Sequence, residues 1–208
     1  MLSNLNFKTD ILPFLVATGG EFAALFFWLR YASQGDLVLA SIVLWVGFLI
    51  ERGAVVLWLQ YVYRDLEGET DSPLNPPLWQ GIGLIIGITL TEIIIWAVWF
   101  GLAGGNTPGA PDVGKHIIAA VVLFVLLQVQ HSVEMGILRR KPTSLYLTNS
   151  STLFFTLMEA LGGFGWLLLV ANGQEALGAV ALLIGLSVEH IIQGSTLKPE
   201  APTPQRVR

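Results

Sequence analysis

Glutamate recurs in this chain where a carboxylate is least at home, inside runs of leucine, isoleucine, valine and tryptophan. It also recurs at fixed offsets from other polar groups. Glu21, Glu92 and Glu159 are each followed seven residues later by a tryptophan, Trp28, Trp99 and Trp166. They stand in Thr18-Gly19-Gly20-Glu21, Thr89-Leu90-Thr91-Glu92 and Thr156-Leu157-Met158-Glu159. Three further glutamates occur in Glu51-Arg52, His131-Ser132-Val133-Glu134 and Ser187-Val188-Glu189-His190. On a helix, His131 and Glu134 share a face and can approach one centre. His190 sits about 100° round the helix from Glu189, which suits a bridging carboxylate with a terminal imidazole beside it.

An ionised carboxylate at the centre of a bilayer costs at least about 2.5 to 3.5 kcal/mol, and six together exceed what a typical fold has to spare. The six glutamates must therefore be paired, protonated or bound to metal. Arg52 is the one cation among them and can neutralise one or two. A purely structural arrangement would hydrogen-bond protonated glutamates to Thr89, Thr91, Ser132, Thr156 or Ser187. It would also seat His131 beside Gln128 or Gln130 and turn His190 towards headgroups or the end of its helix. His116, at the mouth of its helix, reads as a surface residue.

Metal chemistry accounts for more of the pattern. Glu92, His131, Glu134, Glu159, Glu189 and His190 are the candidate ligands, four carboxylates and two imidazoles. In composition this set resembles the ligands of ferritin-like di-iron and di-manganese carboxylate sites, where two helices give a Glu each and two give Glu-x-x-His. The order here is His-x-x-Glu in one helix and Glu-His in the other, so the resemblance is one of ligand chemistry and not of family. The chain has no cysteine, which excludes disulfides, thiolate sites and iron–sulfur clusters. Two metal ions, of iron or manganese, fit the oxygen-rich donors, with zinc as a third candidate, and the lack of sulfur disfavours copper(I). Glu21, Glu51 and Arg52 are expected next to that centre as an additional polar site. Arg52 would neutralise Glu21 or Glu51; anchoring an anionic substrate is the less favoured role.

The leading expectation is a membrane-embedded, binuclear oxidoreductase acting on a hydrophobic or membrane-dissolved substrate, with a dry site that keeps water from the chemistry. Zinc would shift the reaction to hydrolysis by a metal-activated water. A proton or divalent-cation transporter or channel using midplane glutamates is the main alternative. A haem-binding electron carrier, with His131 and His190 as axial ligands, would leave the glutamates unexplained. An accessory subunit of a membrane complex is the remaining class.

Such groups need helices to hold them at one depth. The chain is 208 residues long, 53% hydrophobic and only 12% charged, with a mean hydropathy of +0.66, which marks an integral membrane protein in a lipid bilayer. Its net charge of −4 becomes about neutral once the six glutamates and Arg52 are set aside, and nothing suggests nucleic-acid binding. The N-terminal stretch through Asp10 lacks the basic region and small-residue site of a signal peptide, so the first apolar run is expected to remain.

Six runs, near 10–33, 37–64, 78–103, 115–139, 145–172 and 175–195, are long enough to cross a bilayer, which takes about 20 helical residues. Their continuous apolarity predicts helices, since a spanning barrel would alternate with period two. Pro13 falls in a first helical turn, where a missing N–H costs little. The loops carry the breakers, with prolines between Gly68 and Pro77 and glycines and prolines between Ala103 and Gly114. The fold class is thus all-α and polytopic, with residues 1–197 forming one six-helix domain and 198–208 a disordered cytoplasmic tail.

Paired in order, the runs make three helical hairpins, about 10–64, 78–139 and 145–195, and the recurring motifs predict that these are a threefold repeat. Lys8, Arg64, Arg139, Arg140, Lys141, Lys198, Arg206 and Arg208 fall on one side, and Arg30 and Lys115 on the other. By the positive-inside rule both termini are cytoplasmic. Trp28, Trp99, Trp166 and Trp58 lie about 10 Å from their glutamates along the helices, and some are expected to anchor at interfaces, as are Tyr61 and Tyr63. Gly81, Gly83 and Gly87, the glycines of Gly162-Gly163-Phe164-Gly165, and the Gly19-Gly20 pair predict close helix packing. Arg139-Arg140-Lys141 is a topology signal, with anionic-lipid binding a lesser role.

Overall fold

The computed structural model describes residues 12–64, 78–104, 113–139 and 141–197. The N-terminal stretch, the loop containing Pro73, Pro76 and Pro77, Pro108 and Pro111, Arg140 and the tail from Lys198 lie outside the described residues. So do the side chains of Trp58, Tyr61, Tyr63, Arg64 and Gly81 with its first-turn neighbours.

The described chain is helical: α1 (Leu12–Ser33), α2 (Leu37–Arg64), α3 (Leu78–Leu102), α4 (Val113–Arg139), α5 (Ser144–Leu147), α6 (Ser150–Ala171) and α7 (Glu175–Leu197). All but α5 are long and apolar enough to cross a membrane. The run expected as one helix from about 145 is divided, because the Asn149 side chain accepts hydrogen bonds from the N–H groups of Ser151 and Thr152 and so starts α6 afresh. The short α5 packs on α4. Gln128 donates through Nε2 to the carbonyls of Tyr146 and Leu147, at 3.2 and 3.0 Å, satisfying acceptors that a helix end leaves open.

Large apolar side chains such as Val38, Ile94, Ile118 and Ile191 face outward, while eighteen polar or charged residues among those described are buried. That inversion of a soluble protein's pattern is compatible with an integral membrane protein. Each long helix touches the next in sequence, and α7 returns to α1, closing a ring around the buried polar groups.

Two of the hairpin turns are built alike. At the end of α1, Gly35 (φ 83°) sits between hydrogen bonds from its own N–H to Ala32 O and from Asp36 N–H to Tyr31 O. At the end of α6, Gly173 (φ 74°) sits between the matching bonds to Val170 O and from Gln174 N–H to Leu169 O. The left-handed conformation that this helix stop requires explains glycine at both positions.

The same two hairpins are locked by glycine lower down. A Cβ on Gly47 would lie 2.8 Å from Gly20 O, and one on Gly185 would lie 2.6 Å from Met158 O. Gly162 is in contact with Gly185, and Gly163 admits the Trp96 ring. The expected role of Gly83 and Gly87 does not hold, since a Cβ on either would meet open space, and the same is true of Gly19. Gly20, Gly162, Gly163 and Gly165 do pack closely, as expected, and Gly47 and Gly185, each one helical turn before Glu51 and Glu189, join them.

Of the four tryptophans considered as interface anchors, three are interior and Trp58 lies outside the described side chains. Trp28, Trp99 and Trp166 are buried in the larger apolar core and do not anchor an interface. Trp96 and Trp99 meet edge to face at 5.2 Å, and Trp28 meets Phe100 at 5.4 Å. His116 is likewise buried, because it shares its helix face with Ala119, Leu123 and Leu127.

Candidate carboxylate–imidazole site

All six glutamates are at least 96% buried, as are His131 and His190, and Arg52 is 6% exposed. The antiparallel helices bring them together from α1, α2, α3, α4, α6 and α7, in two linked sets.

The first set is organised by Arg52. Its Nε lies 3.0 Å from Glu51 Oε2, its Nη1 donates to Glu134 Oε1 at 2.7 Å, and its Nη2 donates to Glu92 Oε2. One guanidinium therefore spans carboxylates from α2, α3 and α4, using the fixed fork of donors that lysine lacks. The sequence placed Arg52 on Glu21 or Glu51; the structure gives it Glu51 and adds Glu92 and Glu134.

The second set contains donor atoms close enough to surround ions. Glu21, Glu189 and His190 each offer one such that all three lie within 4.8 Å of one another. The same holds for His131, Glu159 and Glu189, and again for Glu21, Glu92 and Glu159. Ligands about 2.0 to 2.2 Å from an ion stand roughly 3 to 4 Å apart, so small side-chain rotations suffice. Glu21, Glu159 and Glu189 each belong to two of the three groups, while His131, His190 and Glu92 belong to one. The donor total is again four carboxylates and two imidazoles, with Glu21 in the set and Glu134 on Arg52.

Each imidazole has a partner on its other nitrogen. His131 Nδ1 is 2.9 Å from Thr156 Oγ1, and its Nε2 is 3.3 Å from Glu159 Oε2. A proton on Nδ1, donated to Thr156, leaves the Nε2 lone pair facing Glu159. For His190, Nδ1 lies 3.1 Å from Glu189 Oε2 and 3.6 Å from Glu21 Oε2, and Nε2 lies 3.6 Å from Glu51 Oε1. A proton on Nε2 then points to Glu51, which is itself held by Arg52. A hydroxyl at hydrogen-bond distance, as Thr156 is to His131, fixes ring orientation in metal sites, while Glu51 at 3.6 Å faces His190 without a direct hydrogen bond. Nδ1 is also 3.0 Å from the carbonyl of Leu186, so the opposite tautomer has a partner too.

The set is under-satisfied by protein alone. Among the described residues neither oxygen of Glu159 has a hydrogen-bond partner, and Oε2 of Glu21, Glu134 and Glu189 also lacks one. Buried polar atoms of this kind signal water, protons or ions in their neighbourhood. Six carboxylates facing a single guanidinium carry a large formal excess of negative charge, which two divalent cations would largely offset.

Sequence spacing found most of these residues and missed two relationships. Thr156 precedes Glu159 by one helical turn, as Thr18 and Thr89 precede Glu21 and Glu92, so the threonines share the inward face; that was the available signal for Thr156 beside His131. The pairing of His190 with Glu51 joins residues from different hairpins and left no mark in either. The chain matches no family model, no curated protein and no solved structure.

Proposed function

We propose that the protein is a membrane-embedded carboxylate–histidine metalloprotein that binds two ions, iron or manganese in preference to zinc, and acts as an oxidoreductase on a hydrophobic or membrane-dissolved substrate. The observation that carries this reading is the interlocking of the three donor groups through Glu21, Glu159 and Glu189. Shared carboxylates between neighbouring positions are what a binuclear centre requires. Bound iron or manganese would supply the redox chemistry. The chain's own residues hold and orient the donors: Thr156 fixes the His131 imidazole, Glu51 faces that of His190, and Arg52 neutralises Glu51 and Glu134 outside the ion set and pairs with Glu92 inside it. Both chain ends are assigned to the cytoplasm by the distribution of arginine and lysine.

The site is read as the centre of a threefold repeat of hairpins. The matching glycine turns after α1 and α6 support it, as do the Thr-x-x-Glu-x6-Trp motifs of α1, α3 and α6. The middle hairpin departs: Ile95 and Gln130 stand where the others have Ala24 with Gly47 and Gly162 with Gly185, and α3 and α4 approach less closely. A transporter is disfavoured by the tryptophan- and leucine-filled core on one side of the glutamates.

Elemental analysis of purified protein, with absorption and electron paramagnetic resonance spectra, tests the proposal. Two iron or manganese ions per chain are expected. A Soret band would favour the haem carrier, and metal-free protein that moves cations across vesicles would overturn the reading.

A further inference from the structure

The carboxylate layer has two unlike sides. Helices α1, α3 and α6 run parallel: Glu21, Glu92 and Glu159 meet at one level, and beyond them Trp28 meets Phe100 and Gly163 meets Trp96. Helices α2, α4 and α7 return. Call the side where α1 begins and α7 ends the terminal side. Every buried member of the larger apolar core lies on the opposite side of its own helix's glutamate, from Ala24 and Leu25 on α1 to Leu182 and Leu186 on α7. Trp96, Trp99, Leu123, Leu127, Leu182 and Leu186 fill that half without measurable exposure. Among the described residues the unpartnered polar atoms there are the indole nitrogens of Trp96, Trp99 and Trp166 and, close to the carboxylate layer on α4, the Gln130 amide and Gln128 Oε1. An indole N–H can only donate and so cannot ligate a cation.

On the terminal side the pattern reverses. Thr18, Thr89, Thr152, Thr156 and Gln193 are all buried, and each lies three, four or seven residues from Glu21, Glu92, Glu159 or Glu189 on the same helix face. The Thr89 and Thr152 hydroxyls and the Gln193 amide nitrogen have no hydrogen-bond partner among the described residues. Among the described residues the buried apolar side chains outside the main core are Ala17 and the small cluster of Met135, Tyr146 and Phe155 on this side, bordered by the half-buried Phe14 and Val55. Groups that can both donate and accept, left unpartnered in the interior, bind water.

We infer that the terminal half of the bundle is a hydrated chamber through which divalent cations reach the carboxylate–imidazole layer, and that the opposite half is a seal. The chamber's hydroxyl and amide groups replace part of an ion's water shell as it approaches Glu21, Glu159 and Glu189. The cation as the traveller rests on the metal-binding reading above; the hydrated chamber does not.

The chain has no cysteine, so single thiols can be placed without background. Thr152→Cys and Gln193→Cys report on the chamber, and Leu127→Cys and Leu182→Cys on the seal, with Thr89→Cys as a second chamber position if Thr152→Cys does not fold. Each is reconstituted in lipid vesicles and exposed on both faces to a cationic, water-soluble methanethiosulfonate. Chamber thiols should react at least about tenfold faster than seal thiols, because the thiolate is the reacting form and apolar surroundings disfavour it. Excess manganese should slow the chamber reaction and leave the seal unchanged. Equal rates in the two halves, or faster reaction in the seal, overturn the proposal. Asymmetric labelling that manganese does not slow removes the cation as the traveller. Metal content of the untagged protein, measured separately, shows whether the site reading has failed with it.

Discussion

Arg52 Nη1 lies 2.7 Å from Glu134 Oε1, a buried ion pair joining α2 to α4 across 82 residues of sequence. The same guanidinium holds Glu51 and Glu92, so Arg52→Met should leave three buried carboxylates without their cation. Removing one partner of a buried pair typically costs about 3 to 5 kcal/mol. The expected result is a large drop in the thermal unfolding midpoint in detergent, and Arg52→Lys, lacking the planar fork, should recover only part of it.

Glu134 and Glu159 separate the two sets of carboxylates. Glu159→Gln removes a donor shared by two groups and should abolish binding of the second ion and weaken the first, whereas Glu134→Gln should retain both. Metal content by mass spectrometry after desalting checks this, and equal loss in both variants would contradict the site as drawn.

Thr156 touches His131 at 2.9 Å through a hydroxyl that valine lacks. Thr156→Val should keep the helical content and lower metal affinity by about 10- to 100-fold, the usual effect of losing a group that orients a ligand. Thr156→Ser should restore most of it. Titration with manganese followed by electron paramagnetic resonance distinguishes the two.

Gly47→Ala and Gly83→Ala should differ sharply. A methyl group on Gly47 would lie 2.8 Å from the backbone oxygen of Gly20, and backbone cannot step aside. At Gly83 it enters open space, and removing a helical glycine is favourable by up to about 1 kcal/mol. Thermal unfolding followed by tryptophan fluorescence should show a clear loss for the first and no loss for the second.

Bound ions should stabilise the bundle by mass action. At an ion concentration of 100 times Kd the gain is about 2.7 kcal/mol, seen as a raised unfolding midpoint that a chelator reverses. In Glu159→Gln the midpoint should respond far less to either addition.

The helices were legible because continuous apolar runs of about 20 residues leave few alternatives. The glutamates, both internal histidines and Arg52 stood out as polar groups that such runs do not tolerate without cause. What the sequence could not show was partnership across hairpins. Glu134 shares a helix face with His131, yet its carboxylate turns to Arg52 on α2, while Glu21, with no histidine in its own hairpin, meets His190 on α7. Face and depth are one-dimensional properties of a helix; which neighbours it acquires depends on the order in which the ring closes. The burial of Trp28, Trp99 and Trp166 was missed for a related reason, since amphipathic indoles suit an interface and an interior equally well.

The unequal closeness of the hairpins has a mechanical consequence. Glu21, Glu159, Glu189 and His190 project from α1, α6 and α7, whose hairpins are clamped backbone to backbone at Gly20 with Gly47 and at Gly162 with Gly185. Glu92 and His131 project from α3 and α4, between which no such clamp occurs among the described residues. Ions held by both sets would act as rivets between a stiff frame and a compliant wall. When they leave, the compliant wall loses its tie to the frame, and amide exchange should quicken in α3 and α4 while the frame keeps its protection.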